Sequence, residues 1–159
     1  PFVDLAYLRK SDLHDNVITY RRRKTGRPLS VTLTREAMVL LKRYMNRDSS
    51  SPYLFSLLKS REGTPEAYRE YQSALRRFNN DLKSLSRKLR ISSSVTSYTL
   101  RHSWATTAKY RGVPIEMISE SLGHKSIKTT QIYLKGFELE ERTKVNKLNY
   151  SYVCSFKMF

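Results

Sequence analysis

The 159-residue sequence is poor in the residue types that form disulfides or structural metal sites. It contains one cysteine, Cys154, and three histidines, His14, His102 and His124. A single cysteine cannot form an internal disulfide, and these four residues show no recognisable zinc-ligand spacing. We therefore expect an intracellular protein without a structural metal ion.

Long apolar runs and acidic residues are also scarce. No stretch approaches the roughly 20 apolar residues of a membrane span, and no signal-peptide pattern opens the chain. Fourteen Asp and Glu oppose thirty Lys and Arg, which leaves a formal net charge of +16. A field of this sign favours a polyanionic partner, and without a membrane-binding segment nucleic acid is the favoured one.

The length of the chain suits one domain with its own hydrophobic core. Its first residues, "PFVDLAYLRK", lack an initiator Met and are already apolar and helix-like. We expect a fragment of a longer protein, in which additional DNA contacts would precede Pro1.

Periodicity predicts a mostly helical α+β protein with one small antiparallel β-sheet. Phe2, Leu5 and Leu8 predict a short helix that ends near Lys10. Residues 17–22 and 29–33 alternate in the manner of strands, with "KTGRP" between them, and predict a hairpin with a basic tip. Thr34 can cap the helix that follows.

The clearest helix is "GTPEAYREYQSALRRFNNDLKSLSRKL". Thr64 is its N-cap candidate and Pro65 fits the first helical position. Arg76 and Arg77 lie on its polar surface, either as solvated charges or as phosphate contacts. The stripe that we expect to be buried comprises Tyr71, Leu75, Phe78, Leu82, Leu85 and Leu89.

The remaining chain predicts four more helices after the polar linker "RISSSVTS". "YTLRHSWATTAKYRG" would be closed by Gly112, and its Trp104 is expected in the core. Two short helices would start around Pro114 and after a Ser126 cap. "ELEERTKVNKL" predicts a final helix with a thin apolar face.

Five residues become candidates for chemistry because of the order in which they occur. Lys24 lies at the hairpin tip, Arg101 and His102 at a helix start, His124 after a Leu-Gly turn, and Tyr133 nine residues further on. Singly, each is more often a packing residue or a surface charge.

Together these segments resemble the tyrosine recombinase, or phage integrase, family. The resemblance rests on "YTLRHSWATTAKYRG", "ISESLGHKSIKTTQIYL" and "RRRKTGRPLSVTL", and "FVDLAYLR" is similar to the first catalytic-domain helix of integrases from bacterial mobile elements. It implies that residues 1–159 are a catalytic-domain fragment lacking the N-terminal DNA-binding domain. Residues 136–159 would form a C-terminal tail or helix that docks on a neighbouring protomer.

The resemblance also implies roles for the candidate residues in DNA strand cleavage and rejoining. Tyr133 would be the nucleophile that joins the 3′ phosphate, and Arg101 would hold the nonbridging oxygens with its planar fork. Lys24 would be the general acid for the 5′ leaving oxygen. His124, and less directly His102, would donate hydrogen bonds to the phosphate or help to orient the site.

Two positions depart from the family pattern. The family has His three residues before the second Arg, and Tyr98 occupies that place. A phenol donates a hydrogen bond, but it does not exchange protons near neutral pH as an imidazole does. With Asp4 as the family's supporting acidic residue, the place of the first Arg falls on Pro1.

The partners implied are double-stranded DNA, a tetrameric synapse of full-length protomers, and accessory DNA-bending proteins. No cofactor or metal is expected, and the location would be the cytoplasm, on the bacterial nucleoid. Thr129 and Thr130 are expected to be caps and backbone partners. The predicted DNA contacts are Arg21, Arg22, Arg23, Arg27, Arg76, Arg77, Lys125 and Lys128.

Two other functions fit the same residues. Pro1 and Tyr98 are compatible with a DNA-binding module that kept the fold and lost catalysis. A topoisomerase would share the tyrosine chemistry, although the short basic chain and the "LGHKSIKTTQIY" segment favour an integrase.

Overall fold

The computed structural model describes residues 1–134. The chain divides into two compact units, Pro1–Ser103 and Trp104–Phe159. The tail predicted at 136–159, with its final helix, lies outside the described residues. Within residues 1–134, no helix is both long enough and apolar enough to cross a membrane.

The first unit combines helices with a three-stranded antiparallel sheet in the order β1-β2-β3. Register pairs Leu13 with Ile18 between β1 and β2, and Ile18 with Val31 between β2 and β3. The elements of this unit are α1 (Phe2–Ala6), a 3₁₀ turn (Lys10–Asp12), β1 (Leu13–His14), β2 (Val17–Arg21), β3 (Pro28–Thr32), α2 (Arg35–Tyr44) and α3 (Pro65–Lys88).

The predicted hairpin is confirmed, with each strand ending one residue earlier than expected. The additional strand β1 was not predicted, because two residues are too few to show an alternating pattern. Ile18 of β2 is buried in one cluster with Leu8, Leu41 of α2 and Leu54. This cluster packs the sheet against α2.

The first helix is shorter than predicted, since it ends at Ala6 and not near Lys10. Beyond it, the Lys10 N–H donates to the Pro52 carbonyl at 2.9 Å, and Arg9 forms a β-bridge with Tyr53. These long-range backbone bonds hold the segment extended, and sequence periodicity does not report them.

Helices α2 and α3 begin where the sequence predicts. The side-chain oxygens of Thr34 and Thr64 each accept the backbone N–H three residues later, at 3.2 Å. The prediction of a buried stripe on α3 was wrong at the C-terminal end of the helix, where Leu85 and Leu89 are exposed. The second core cluster of this unit, formed by Phe2, Ala6, Tyr53, Leu58 and Ala74, extends along α3 as far as Phe78.

The second unit begins within α4 (Ser97–Tyr110) and continues with α5 (Ile115–Ser121) and a helix over residues 127–134, called α6. Gly112 has the positive φ of +77° expected after a helix. The Ser126 oxygen accepts the Lys128 N–H at 3.2 Å, which confirms the predicted cap. The buried core of this unit is formed by Ala105, Ile118, Leu122 and Leu134.

Trp104 was predicted in the core but is 49% exposed. The core side of α4 in this unit is formed by Ala105 and the partly buried Ala108. One residue along a helix turns the side chain by about 100°, so Trp104 lies off that face.

Candidate active site

Lys24 lies exposed in the turn of the β2–β3 hairpin. The Arg22 N–H donates to the Arg27 carbonyl at 2.8 Å, and the Arg22 carbonyl accepts the N–H of Gly26 at 2.7 Å. Gly26 has φ of +68°, a left-handed conformation that favours glycine. The turn therefore presents the lysine side chain to solvent from a closed backbone loop.

Asp4 of α1 binds this turn through its side-chain carboxylate. Its buried carboxylate accepts the Arg23 N–H at 3.0 Å through Oδ1. Its Oδ2 lies 3.9 Å from Nε of Arg22, which is itself buried. The structure thus places Asp4 and Arg22 together, and the predicted DNA contact of Arg22 stays a prediction.

Glu62, in the loop before α3, also binds the hairpin turn. It forms ion pairs with Arg23 and with Arg9, the latter at 2.7 Å. The Arg23 guanidinium also lies 3.9 Å from the ring centroid of Tyr7. Hydrogen bonds from Arg23 and then Arg9 hold the pKa of Glu62 below its usual range, so this carboxylate stays charged at neutral pH.

Tyr98, Arg101 and His102 lie on α4, in its first and second turns, and not at the helix start that the sequence predicted for the last two. Tyr98 is 56% exposed, and its ring contacts the His102 ring edge-on, with centroids 4.5 Å apart. Burial, followed by the Arg101 charge, lowers the pKa of His102, so its neutral form is favoured near pH 7.

Three charged side chains of this unit act on Tyr20 of β2. Burial raises the pKa of Tyr20, the Asp4 carboxylate raises it further, and the charges of Arg101 and Arg22 oppose this increase. The charges of Asp4, Arg22 and Arg101, which are far apart in sequence, therefore all influence one position of the sheet.

His124 and Tyr133 are brought together in the second unit. His124 is 8% exposed, and its Nδ1 lies 2.7 Å from the hydroxyl of the fully buried Thr130. The half-buried Tyr133 ring meets the His124 ring edge-on, with centroids 5.9 Å apart. Residues 127–134 are helical, so Thr130 and Tyr133 share a helix face at three-residue spacing.

The other residues predicted to contact DNA are exposed. Arg21 uses Nη1 to donate to the Gly26 carbonyl at 3.3 Å, within the hairpin. The exposed cations, whose DNA contacts stay predictions, are Arg21, Arg23, Arg27, Arg76, Arg77, Lys125 and Lys128.

The contacts that Thr130 and Glu62 make with the candidate site residues and the hairpin turn were not predicted. Thr130 was expected to act as a cap or backbone partner, but its side chain bonds to a histidine ring. The sequence does contain a signal for this contact, because Thr130 follows His124 by six residues and lies on the same helix face as Tyr133. Glu62 had no such signal, because it is 39 residues from Arg23 and 53 from Arg9.

The comparisons of this chain with known proteins all point to one family. The phage integrase family matches residues 3–139. The tyrosine recombinase XerA of Saccharolobus solfataricus is 34% identical over 77% of this chain and 36% of its own length. XerA of Pyrococcus furiosus is 33% identical over 83% of this chain and 44% of its own length. The chain therefore spans less than half of either relative.

Solved structures show the same fold. The crystal structure of a XerA recombinase matches with a TM-score of 0.60 and 27% identity, over 89% of this chain and 53% of that one. The Tn1549 transposon integrase matches with a TM-score of 0.55 and 18% identity, over 84% and 49%. From the family match over most of its length and from these relatives, the chain belongs to the phage integrase family of tyrosine recombinases.

Proposed function

We propose that this chain is the strand-cleaving part of a site-specific recombinase that integrates or excises a mobile element. The observation that carries the proposal is the bond between His124 Nδ1 and Thr130, beside the ring of Tyr133. It fixes the direction of a buried imidazole next to the one phenol that the family pattern makes the nucleophile. The second ring nitrogen, Nε2, would then donate the hydrogen bond to the phosphate.

Cleavage needs no metal in this scheme. The Tyr133 hydroxyl gives its proton to water as its oxygen bonds to phosphorus, the bond from phosphorus to O5′ breaks, and O5′ takes a proton from the Lys24 ammonium. The phosphotyrosyl ester retains the energy of the broken phosphodiester. A 5′ hydroxyl from a second strand can therefore reverse the attack without ATP.

Positive donors stabilise the charge that develops on the phosphate oxygens. Arg101 suits this role because a guanidinium binds two oxygens in one plane. Lys24 suits the acid role because it lies exposed at a turn, on a long flexible stem that can reach into DNA.

The two departures from the family pattern support a second candidate, a DNA-binding module without catalysis. Tyr98 stands where the family has His, and Pro1 stands where it has Arg. Tyr98 is 56% exposed, and a phenol can donate a hydrogen bond to a DNA phosphate. It would serve the first candidate as a phosphate ligand and the second as a simple DNA contact.

Double-stranded DNA is the partner, as the net charge of +16 supports. For the longer protein we propose a tetrameric synapse on DNA, with accessory DNA-bending proteins, on the nucleoid.

The test uses the full-length protein that contains this chain. A binding site is first selected from a random duplex library and placed in a supercoiled plasmid, and covalent adducts are trapped with SDS. We expect an adduct that disappears in Tyr133→Phe and persists in Tyr110→Phe, a variant of an exposed tyrosine in the same unit. Salt-sensitive binding without any adduct would establish the DNA-binding module instead. Relaxation of plasmids that lack the site would indicate a topoisomerase.

A further inference from the structure

We propose that Glu62 is a positioning residue that, together with Asp4, holds the hairpin turn of residues 22–27 and so sets where the Lys24 ammonium meets DNA. The inference rests on the proposed function, in which Lys24 protonates the leaving oxygen. Glu62 itself touches neither DNA nor the reacting atoms in this scheme.

Glu62 joins two cations from separate parts of the first unit. One carboxylate oxygen pairs with Arg23 of the turn, and the other pairs with Arg9, which follows α1, at 2.7 Å. Arg23 is further held over the Tyr7 ring at 3.9 Å. Charge-assisted bonds of this kind are directional, so they fix the Arg23 side chain relative to α1.

Asp4 fixes the backbone of the same residue. Its Oδ1 accepts the Arg23 N–H at 3.0 Å, and the Arg22 carbonyl accepts the N–H of Thr25 at 3.3 Å and that of Gly26 at 2.7 Å. The residue immediately before Lys24 is therefore held through both its main chain and its side chain. Lys24 itself is left exposed to reach outward.

Position matters more than stability at this site. A general acid must come within hydrogen-bond distance of the leaving oxygen, and an offset of about 1 Å can cost roughly 100-fold in rate. Partly exposed ion pairs add only about 0–1 kcal/mol to folding. The Glu62 network is thus expected to act on the geometry of the turn and to leave the fold unchanged.

The first experiment measures the anchor directly by amide hydrogen exchange. In Glu62→Gln we expect the amides of the 22–27 turn to exchange about fivefold faster than in the wild type. The matched control is Glu66→Gln, which removes the surface pair of Glu66 with Arg69 and should leave the turn unchanged. Equal exchange in both variants would overturn the proposal.

The second experiment tests the role of the anchor in proton transfer, with the full-length protein and its selected site. A 5′-bridging sulfur leaves as a thiolate without needing an acid. We expect Glu62→Gln to slow cleavage of ordinary DNA about tenfold and to cleave the sulfur-substituted DNA at the wild-type rate.

Equal slowing on both DNAs, or on neither, would refute the positioning role. If even the wild-type protein forms no adduct, the proposed function fails. The exchange measurement then still decides whether Glu62 anchors the turn.

Discussion

Replacing Thr130 by valine tests whether the orientation of His124 matters for catalysis. Valine keeps nearly the same shape and loses the hydroxyl that lies 2.7 Å from Nδ1. Thr130 is fully buried and His124 is 8% exposed, so water has little access to replace the lost partner. Two effects follow, one on folding and one on cleavage.

The magnitude follows from leaving a buried polar nitrogen without this bond. Such a loss costs about 1–3 kcal/mol. If the ring instead turns to find another partner, the donor to the phosphate is misplaced and the same free energy appears in the transition state. At about 1.4 kcal/mol per factor of ten, cleavage would slow by roughly 5- to 150-fold.

The assay is the single-turnover rate of adduct formation by the full-length protein on its selected site. Urea unfolding of the same variants shows how much of the loss is due to folding, and ¹⁵N NMR of the His124 ring reports whether the hydrogen bond is gone. Thr130→Ser keeps a hydroxyl and should restore most of the rate. Thr129→Val, at the exposed neighbouring position, is the matched control.

A Thr130→Val enzyme that cleaves within twofold of Thr129→Val would contradict this reasoning. So would a Thr130→Ser variant that is as slow as Thr130→Val, because a hydroxyl would then not be what the site requires.

Three further predictions concern the rest of the chain. Hydrogen bonds from two backbone N–H groups lower the pKa of Glu70, and burial opposes them without cancelling the decrease. The contribution of the Glu70 carboxylate to folding stability is therefore present above its unfolded pKa and is lost as pH falls through the lower pKa of the folded state. Glu70→Gln should lower the urea midpoint at pH 7 and match the wild type near pH 3. Ile118→Ala, at a fully buried core position, should lower the free energy of unfolding by about 2–5 kcal/mol in urea melts. The double variant of Arg76 and Arg77 to alanine should reduce the slope of log affinity against log salt by about 2 in a gel-shift series if both contact phosphate, and leave it unchanged if they are solvated.

Elements whose signals are local could be predicted from the sequence. The hairpin follows from alternation around "KTGRP", and the start of α3 follows from Thr64 and Pro65, because capping depends on residues three positions apart. Features set by distant contacts could not be predicted. The end of α1 at Ala6 depends on backbone bonds to Pro52 and Tyr53.

The candidate site divides in the same way. Lys24, Arg101, His124 and Tyr133 were identified from short motifs whose residue types suit phosphoryl chemistry, and the comparisons confirm the family to which those motifs belong. Their individual roles stay predictions.

The sequence by itself determined the helical and hairpin segments, the strong positive charge and the family motifs, since each depends on composition or on residues close in the chain. Only the tertiary structure decided that Trp104 is exposed and that Arg22 lies buried beside Asp4. It also decided that Glu62 holds Arg23. The physical reason is that burial and ion pairing depend on distances in space, and residues 39 positions apart become neighbours only when the chain has folded.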